Sequence, residues 1–239
     1  MIREEVVNFK FMSEEDKDNT EIVLRVCKES GSTLQYASAK IRENKEVILE
    51  ICKERGHALE YASTELQADK AVVLAACSNS DVLEYASDEL RSNREFVLSV
   101  CKLDGMNIRG VSDELQLDRE IVLAACQSSV EILYYVDEKF KQDKEIVLAA
   151  CSHTNGFSAL EFTSKELQDD KEVVLTACKN NELSFEFASQ RLQEDEEVVL
   201  TVMKLEPSIF RKTSQDIQKN FKLQVFFYLY SVLKFIKII

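Results

Sequence analysis

Polar and apolar residues follow one another in a pattern that recurs about every 25 residues along this chain. Each recurrence opens with a polar stretch, continues into an apolar run, and reaches a leucine at the same place. These leucines are Leu24, Leu49, Leu74, Leu98, Leu123, Leu148, Leu175 and Leu200. Because a unit this short cannot bury an apolar face alone, the pattern predicts repeats that stack on copies of themselves.

The apolar spacing within one repeat predicts two helices. In the third repeat Asp69 is suited to cap a helix, because its carboxylate can accept a backbone N–H of the first turn. The run Val72–Cys77 is apolar on nearly all sides, which indicates an inner helix covered by its neighbours. Leu83, Ala86 and Leu90 then fall at positions i, i+3 and i+7, which is the spacing of one face of a second helix.

The stretch between the two helices carries residues that end a helix. Glycine supplies a left-handed helix end, and proline cannot continue a helix. Four of the five glycines and the only proline of the chain fall there, namely Gly31, Gly56, Gly105, Gly156 and Pro207. This punctuation supports the repeat boundaries independently of the leucines.

A serine inside the second helix leaves the continuity of that helix open, because a serine hydroxyl can cap a separate final turn. This serine recurs as Ser38, Ser63, Ser87, Ser112, Ser164 and Ser189. The aromatic residue two places earlier is expected to form a packing spine rather than a platform on which bases stack, given its acidic surroundings. It recurs as Tyr36, Tyr61, Tyr85, Tyr135, Phe162 and Phe187.

Together these features predict an all-α fold, an α-solenoid of about eight short two-helix repeats of 24 to 27 residues. The array is expected to occupy residues 1–217, with a half-repeat cap at 9–18 and eight repeats from residue 19. Within the cap, Asp16 stands where the first repeat has Ile41, and a polar residue suits an exposed end.

The segment at residues 218–239 is expected to be an apolar capping or docking helix. A membrane-spanning helix needs about 20 predominantly apolar residues, and this stretch is short and contains lysines. Three roles stay open: a cap folded onto the eighth repeat, an anchor on a membrane surface, or a docking site for another chain. Membrane contact is expected only through residues 221–239, and the chain is expected to be a monomer unless this segment pairs it into a dimer.

The seven cysteines occupy one repeat position, three residues after the repeat leucine. They are Cys27, Cys52, Cys77, Cys101, Cys126, Cys151 and Cys178, and the eighth repeat has Met203 in that place. Equivalent residues of stacked helices lie about 9 to 10 Å apart, whereas a disulfide needs Cα atoms within about 7 Å. One sulfur per repeat also never converges on a metal ion. The pattern predicts buried, unpaired thiols without metal or redox chemistry.

The recurring string in Asp69–Cys77 and Leu83–Leu90 resembles the repeats of domain of unknown function 4116. Its two parts are Asp-Lys/Arg-Glu-Val/Ile-Val-Leu-x-Ala-Cys and Leu-x-Tyr-Ala-Ser-x-Glu-Leu, and the likeness covers about residues 9–217. In that family the alanine-rich helix often ends in valine where this chain has cysteine, which implies an apolar role for the thiol. The resemblance implies a tandem helical array and transfers no activity or site.

The formal net charge of −13 is unevenly spread along the chain. Residues 217–239 carry four lysines and no acid, so the preceding residues carry −17. Such a surface repels phosphate backbones, which disfavours nucleic acid and favours a basic or extended protein partner. The N-terminal Met1–Glu5 stretch has neither the positive nor the apolar region of a secretory signal, so a cytoplasmic location is expected.

The sequence offers no candidate for catalysis. It has no glycine-rich phosphate loop, no HExxH string and no nucleophile elbow. His57 and His153 lie four repeats apart, about 40 Å at roughly 10 Å per repeat, which is too far to share a proton or a metal ion. No enzyme activity, cofactor or metal is expected.

Repeats that differ from their siblings are the best guide to specialised contacts, although sequence drift is the plainer explanation. Gly110 replaces the aromatic residue in the fourth repeat and is expected to leave a gap or a bend. Asp137 replaces the serine in the fifth repeat. The sixth repeat has two extra residues near His153, in a loop that is expected to project over one rim.

One solvent-facing position follows the first leucine of the second helix. It reads Gln35, Glu60, Glu84, Arg109, Tyr134, Glu161, Glu186 and Arg211. Arginine and tyrosine dominate interface energetics, so Arg109 and Tyr134 are predicted to form a central anchor within an acidic groove. The predicted partner-binding set adds four further residues: Glu84, Glu161, Glu186 and His153.

The sequence predicts a non-enzymatic protein–protein interaction scaffold that uses an acidic curved repeat surface. One alternative is a peripheral membrane adaptor that uses the apolar and basic C-terminal segment. Another is a ligand-binding or regulatory module of an enzyme. Long-range attraction to a basic partner is expected to speed encounter more than it adds affinity.

Overall fold

The computed structural model describes residues 6, 8–78, 81–152 and 158–235. The secondary structure of these residues is helical, and no β-strand occurs among them. The fold is an all-α repeat array, an α-solenoid, as the sequence predicts. The chain forms two compact units, an N-terminal unit (Met1–Ser128) and a C-terminal unit (Ser129–Ile239). This division falls inside the fifth repeat and was not predicted, and the boundary at residue 217 stays a prediction.

Nine helices of eight or more residues lie within the described ranges, one for each repeat and one after the eighth repeat. Asparagine or aspartate precedes each helix, and its side chain accepts N–H groups of the first turn. The helices are α1 (Thr20–Glu29), α2 (Lys45–Glu54), α3 (Lys70–Cys77), α4 (Arg94–Leu103), α5 (Arg119–Cys126), α6 (Lys144–Cys151), α7 (Lys171–Asn180), α8 (Glu196–Leu205) and α9 (Phe221–Phe235).

Turns of 3-10 helix stand where the first half of the second helix is predicted. They are Gly31–Tyr36, Gly56–Tyr61, Leu83–Tyr85, Gly105–Gly110, Ala159–Phe162, Glu182–Phe187 and Pro207–Lys212. The fifth repeat differs and has the α-helical turn Ile132–Tyr135 in this place. The half-repeat at the N-terminus opens with a 3-10 turn of the same kind, Phe9–Phe11.

A four-residue α-helix follows the repeat serine in most repeats. These short helices are Glu14–Lys17, Ala39–Arg42, Thr64–Gln67, Asp88–Arg91, Lys165–Gln168, Gln190–Gln193 and Gln215–Gln218. In the fourth and fifth repeats, 3-10 turns take this place, Leu115–Leu117 and Phe140–Gln142.

The second predicted helix is broken at the repeat serine, where a hydrogen bond joins neighbouring repeats. The Ser38 N–H donates to Lys17 O at 3.0 Å, and the Ser38 backbone is extended, with φ −59° and ψ 155°. The Ser38 hydroxyl oxygen then accepts from Ile41 N at 3.2 Å and caps the short helix. The same bond between repeats recurs at Ser63, Ser87, Ser112, Ser164 and Ser189.

Burial in these 3-10 elements follows a period of three, because a 3-10 helix has three residues per turn and places residues i and i+3 on the same side. Gly31, Leu34 and Ala37 are buried on this period. The aromatic position falls off it, so the predicted packing spine is only partly buried. Tyr36 and Tyr135 are 38% and 48% exposed.

The long helices form the core of each unit and pack in chain order, α1 to α5 in the N-terminal unit and α6 to α9 in the C-terminal unit. Each buries a stripe rather than its whole surface, as Val72, Val73 and Ala76 do in α3. The repeat leucine lies beside this stripe, and Leu74 is 36% exposed. The first helix of the repeat is therefore covered less completely than predicted.

All seven cysteines are buried and form no disulfide, which confirms their prediction as packing residues. Burial raises the pKa of the Cys27 thiol to about 11 and that of each of the other six to about 12. A thiol with so high a pKa is protonated near neutral pH, and the thiolate is the reactive form. The cysteines therefore act as small apolar side chains.

Helix α9 continues the stack after the eighth repeat. Asn220 caps it, Leu223 is fully buried, and the Phe227 ring lies 5.1 Å from the Phe210 ring. Tyr228 and Leu229 are exposed on its far side. Within the described residues, no helix has the length and apolar content that crossing a bilayer requires.

Asn107 is a fully buried polar residue that ties the third repeat to the fourth. Its amide oxygen accepts from Val82 N at 3.2 Å and Leu83 N at 3.3 Å, and its amide nitrogen donates to Cys77 O at 3.0 Å. One side chain thus forms hydrogen bonds with three backbone groups, on residues 77, 82 and 83. Residues 79–80 lie outside the described residues. Buried backbone groups left without partners are costly.

Replacing Asn107 by alanine should lower the free energy of unfolding by about 3 kcal/mol, because it leaves three buried backbone groups unsatisfied. Urea denaturation followed by circular dichroism measures the loss. Thr33 occupies the same position in the first repeat and donates to the single carbonyl Ser30 O at 2.6 Å. Thr33→Ala is therefore the control, with an expected loss of about 1 kcal/mol. Equal losses in the two variants would contradict this account.

Alkaline pH should destabilise the fold through the buried thiols. An unfolded thiol ionises near pH 8.5, whereas burial holds the folded pKa near 12, so the stabilisation is complete below about pH 8.5 and is lost as pH rises. Each thiol contributes at most about 1.4 kcal/mol per pH unit. Urea midpoints at about pH 8 and about pH 10 should therefore differ less in Cys77→Ala/Cys126→Ala than in the unsubstituted chain. An identical pH dependence would show that the thiols do not contribute.

Candidate functional site

The solvent-facing position of the repeats forms a row of exposed side chains, which we call the face row. Its members are Gln35, Glu60, Glu84, Arg109, Tyr134, Glu161, Glu186 and Arg211. Each follows a buried residue of the 3-10 or α-helical turn, and the turn directs it to solvent. Four of its members lie in the N-terminal unit and four in the C-terminal unit.

In the N-terminal unit, Glu84 and Arg109 lie on adjacent turns. The turn Gly105–Gly110 packs on Leu83–Tyr85, and Arg109 Nη1 lies 2.8 Å from Asp81 Oδ2. Burial raises the pKa of Asp81, and the Arg109 charge opposes that rise. Arg109 is paired with an acid of its own unit and stays half exposed, and its role as an anchor stays a prediction.

Gly110 closes this contact between turns, and the predicted gap or bend is wrong. A Cβ atom at residue 110 would lie 2.4 Å from Glu84 N and 2.8 Å from the Leu83 carbonyl carbon. The Gly110 carbonyl also accepts a hydrogen bond of 2.7 Å from Arg91 Nε. Glycine replaces the aromatic residue here because two backbones touch and leave no room for a side chain.

Acidic and aromatic side chains alternate on the face of the same unit. Glu60 and Glu84 are exposed, and the neighbouring Tyr61 and Tyr85 are half-buried. Burial raises the pKa of both tyrosine hydroxyls, and Glu60 raises it further. This face therefore presents aromatic rings within a negative potential.

In the C-terminal unit, Tyr134 lies at the centre of an aromatic pocket. Its ring is perpendicular to two others: the centroids are 5.0 Å apart with Tyr135, at an interplanar angle of 88°, and 5.7 Å apart with Phe162, at 83°. With Glu131 these rings line a cavity of about 270 Å³. Tyr134 is 63% exposed, so the pocket opens to solvent.

Glu161 and Glu186 face a second cavity, which lies between the sixth and seventh repeats and has a volume of about 470 Å³. Lys165 also lines it, and its Nζ donates to Gln168 Oε1 at 2.9 Å. Glu186 pairs with Lys212 of the eighth repeat. Glu161 lines this cavity and Phe162 lines the aromatic pocket, so the turn Ala159–Phe162 contributes to both cavities.

The histidines and the loop of the sixth repeat are the remaining predicted features. His153 and the loop of the sixth repeat at 153–157 lie outside the described residues. The part of the chain that is described has no group of three or more His, Cys, Asp or Glu side chains placed to hold a metal ion. His57 is exposed on the turn Gly56–Tyr61.

Four matches to one family model follow the repeats along the chain. The model, Domain of unknown function (DUF4116), matches residues 44–91, 93–141, 129–168 and 170–218, well over half of the sequence. The chain belongs to the DUF4116 family. Neither a curated protein nor a solved structure matches this DUF4116 chain.

Three of the four DUF4116 matches, to residues 44–91, 93–141 and 170–218, are close to two repeats long. The match to residues 44–91 begins at Asn44, the cap of α2, and ends with the short helix Asp88–Arg91. The three longest matches therefore begin at the cap of a long helix and end at or next to the end of a short helix or turn, and the match to residues 129–168 begins inside the fifth repeat. This agreement confirms the resemblance that the repeated motif indicates.

The sequence predicts one of the four residues that line the aromatic pocket, Tyr134. Tyr134 stands out because it is the one aromatic member of the face row. The sequence pattern places Tyr135 and Phe162 in the packing spine and gives no signal for Glu131. The pair Tyr134-Tyr135 is the available signal, since in five other repeats the aromatic residue follows glutamine or glutamate.

Replacing Gly110 by alanine should lower the free energy of unfolding by about 1 to 3 kcal/mol, because the added Cβ forces two backbones apart. Thermal unfolding followed by circular dichroism measures the loss. Gly31→Ala is the matched control, since its Cβ would lie 3.0 Å from Arg55 Cβ and farther from any backbone atom. The control should lose less stability, and the reverse order would contradict the close-contact explanation.

Proposed function

We propose that this DUF4116 protein is a non-enzymatic scaffold that binds a basic or extended protein segment along its face row. The observation that carries the proposal is the cavity between the sixth and seventh repeats, onto which Glu161 and Glu186 both face. Two carboxylates from successive repeats can meet two basic side chains of one extended segment. Lys165 at the same cavity offers a partner for an acidic or carbonyl group of that segment.

Three of the four acids of the face row are available for such contacts, and the fourth, Glu186, would exchange its exposed pair with Lys212 for a base of the partner. Many acids at the starts of the long helices are paired with a base of the preceding repeat, as in Lys45–Asp69 at 2.6 Å. Among the described residues, Glu60, Glu84 and Glu161 form no ion pair. Their exposed charges contribute to the −17 carried by residues 1–216, and a field of this sign draws basic segments toward the face.

The stack gives these side chains a fixed spacing within each unit. The serine hydrogen bonds hold successive turns, and the turns hold the face row. A partner that is extended can then contact successive repeats with successive side chains, without reordering the scaffold. Binding sites that are already ordered avoid part of the entropy cost of association.

We also propose a cytoplasmic location, because seven buried cysteines without a disulfide suit a reducing compartment. The alternative of a peripheral membrane adaptor has one supporting surface, the exposed Tyr228 and Leu229 of α9. It ranks second because α9 already packs on the eighth repeat through Leu223 and Phe227.

Capture from native lysate tests the proposal, with the full chain as bait and mass spectrometry as the readout. Glu161→Gln/Glu186→Gln should lose the partner, and its association with the purified partner should slow by roughly threefold to tenfold at low salt. Glu46→Gln/Glu95→Gln is the control, because it removes the same charge from exposed first-turn positions of α2 and α4.

The control variant should retain the partner. The association rate of the unsubstituted chain should also fall as ionic strength rises, since screening shortens the reach of the acidic field. Equal retention by both variants, or an association rate that does not change with salt, would contradict the proposed use of the face row.

A further inference from the structure

We infer that the pocket lined by Glu131, Tyr134, Tyr135 and Phe162 binds the methylated ammonium group of a lysine side chain in the protein partner. The inference rests on the proposed function and names the side chain that the C-terminal unit recognises. Core packing does not explain this group of rings, because Tyr134 and Tyr135 are 63% and 48% exposed.

The ring geometry makes a corner that a compact cation can fill. Tyr134 stands at 88° to Tyr135 and at 83° to Phe162. Two perpendicular rings in contact form a T, and the inner angle of a T is bounded by the faces of both rings. Aromatic faces carry the negative part of the ring quadrupole, so the corner attracts a positive group from two sides.

The charge and the volume of the pocket fit the same ligand. The Glu131 carboxylate adds a full negative charge beside the rings, and the cavity of about 270 Å³ is large enough for a branched ammonium group. Glu131, Tyr134 and Tyr135 come from one turn of the fifth repeat, and Phe162 comes from the sixth. The pocket is therefore held by the packing of two repeats in the C-terminal unit.

The pocket favours a methylated lysine over an unmodified one. An unmodified ammonium group donates three hydrogen bonds and loses strong hydration when it enters a pocket. This pocket offers one carboxylate and is walled mainly by rings, so it replaces little of that hydration. Methyl groups remove the donors, spread the positive charge over a larger surface and contact the ring faces directly.

The neighbouring cavity identifies the carrier of this group as a polypeptide. Glu161 lines the acidic cavity and Phe162 lines the aromatic pocket, so a chain lying across the turn Ala159–Phe162 meets both. Its methylated lysine would enter the pocket while a basic neighbour meets Glu161 and Glu186. A small quaternary ammonium compound would use the pocket alone.

Calorimetric titration of the full chain with a short peptide tests the inference. The peptide carries one trimethyllysine between two arginines, and its ends are acetylated and amidated. Two comparison peptides replace trimethyllysine by lysine or by the neutral analogue in which carbon replaces the charged nitrogen. Both should bind about tenfold more weakly, because one loses the methyl contacts and the other the cation–π attraction.

Ring variants locate the binding site. Tyr134→Leu should weaken binding of the trimethyllysine peptide about tenfold, whereas Tyr134→Phe keeps the ring face and should retain binding. Both are expected to fold, since Tyr134 is largely exposed. Tyr36→Leu is the matched control, because it removes a half-exposed ring from the first repeat and should leave the affinity unchanged.

Each contrary result has a distinct meaning. Equal binding of the neutral analogue, or unchanged binding by Tyr134→Leu, would overturn the cation site. Tetramethylammonium chloride that binds as tightly as the peptide would assign the pocket to small quaternary ammonium compounds and overturn the peptide assignment. The scaffold proposal fails separately, if Glu161→Gln/Glu186→Gln leaves capture of the partner unchanged.

Discussion

The bond from the serine N–H to the last carbonyls of the preceding short helix is the constraint on which the rest of this fold depends. Because the serine N–H donates to the preceding repeat, no α-helix continues through the serine, and the Ser38 backbone is extended. The residues before the serine then close into a 3-10 turn, and those after it start a new helix under the serine cap. In the six repeats that form this bond, the exposure of the face-row residue and the spacing of the turns follow from it.

The fold could be predicted from the sequence wherever the repeats agree with one another. The column of seven cysteines is one example, because a position that alternates only between cysteine and Met203 has to be apolar. The broken second helix could not be resolved from Leu83, Ala86 and Leu90, since spacings of three suit an α-helix and a 3-10 turn alike. What separates the two is a partner for the serine N–H, and that partner lies in another repeat.

The candidate site was less predictable than the fold, because its parts are related by packing between repeats. The exposure of Tyr134 followed from repeat register alone. The contact with Phe162 depends on how far the turn of the sixth repeat overlaps that of the fifth, and no residue pattern encodes that overlap. Gly110 shows the same limit, since a missing side chain can mark either open space or a close backbone contact, and only coordinates distinguish these.

The serine bond also bears on how such a chain changes length over evolutionary time. Six repeats receive this acceptor from the segment before them, so an in-frame duplication or deletion of repeats that share the bond leaves no serine N–H without a partner. The longest family matches, each nearly two repeats in length, suit a history in which a pair was the copied segment. Repeats such as the fifth, which diverge from the common turn, are then positions where such copying would erase an acquired specificity.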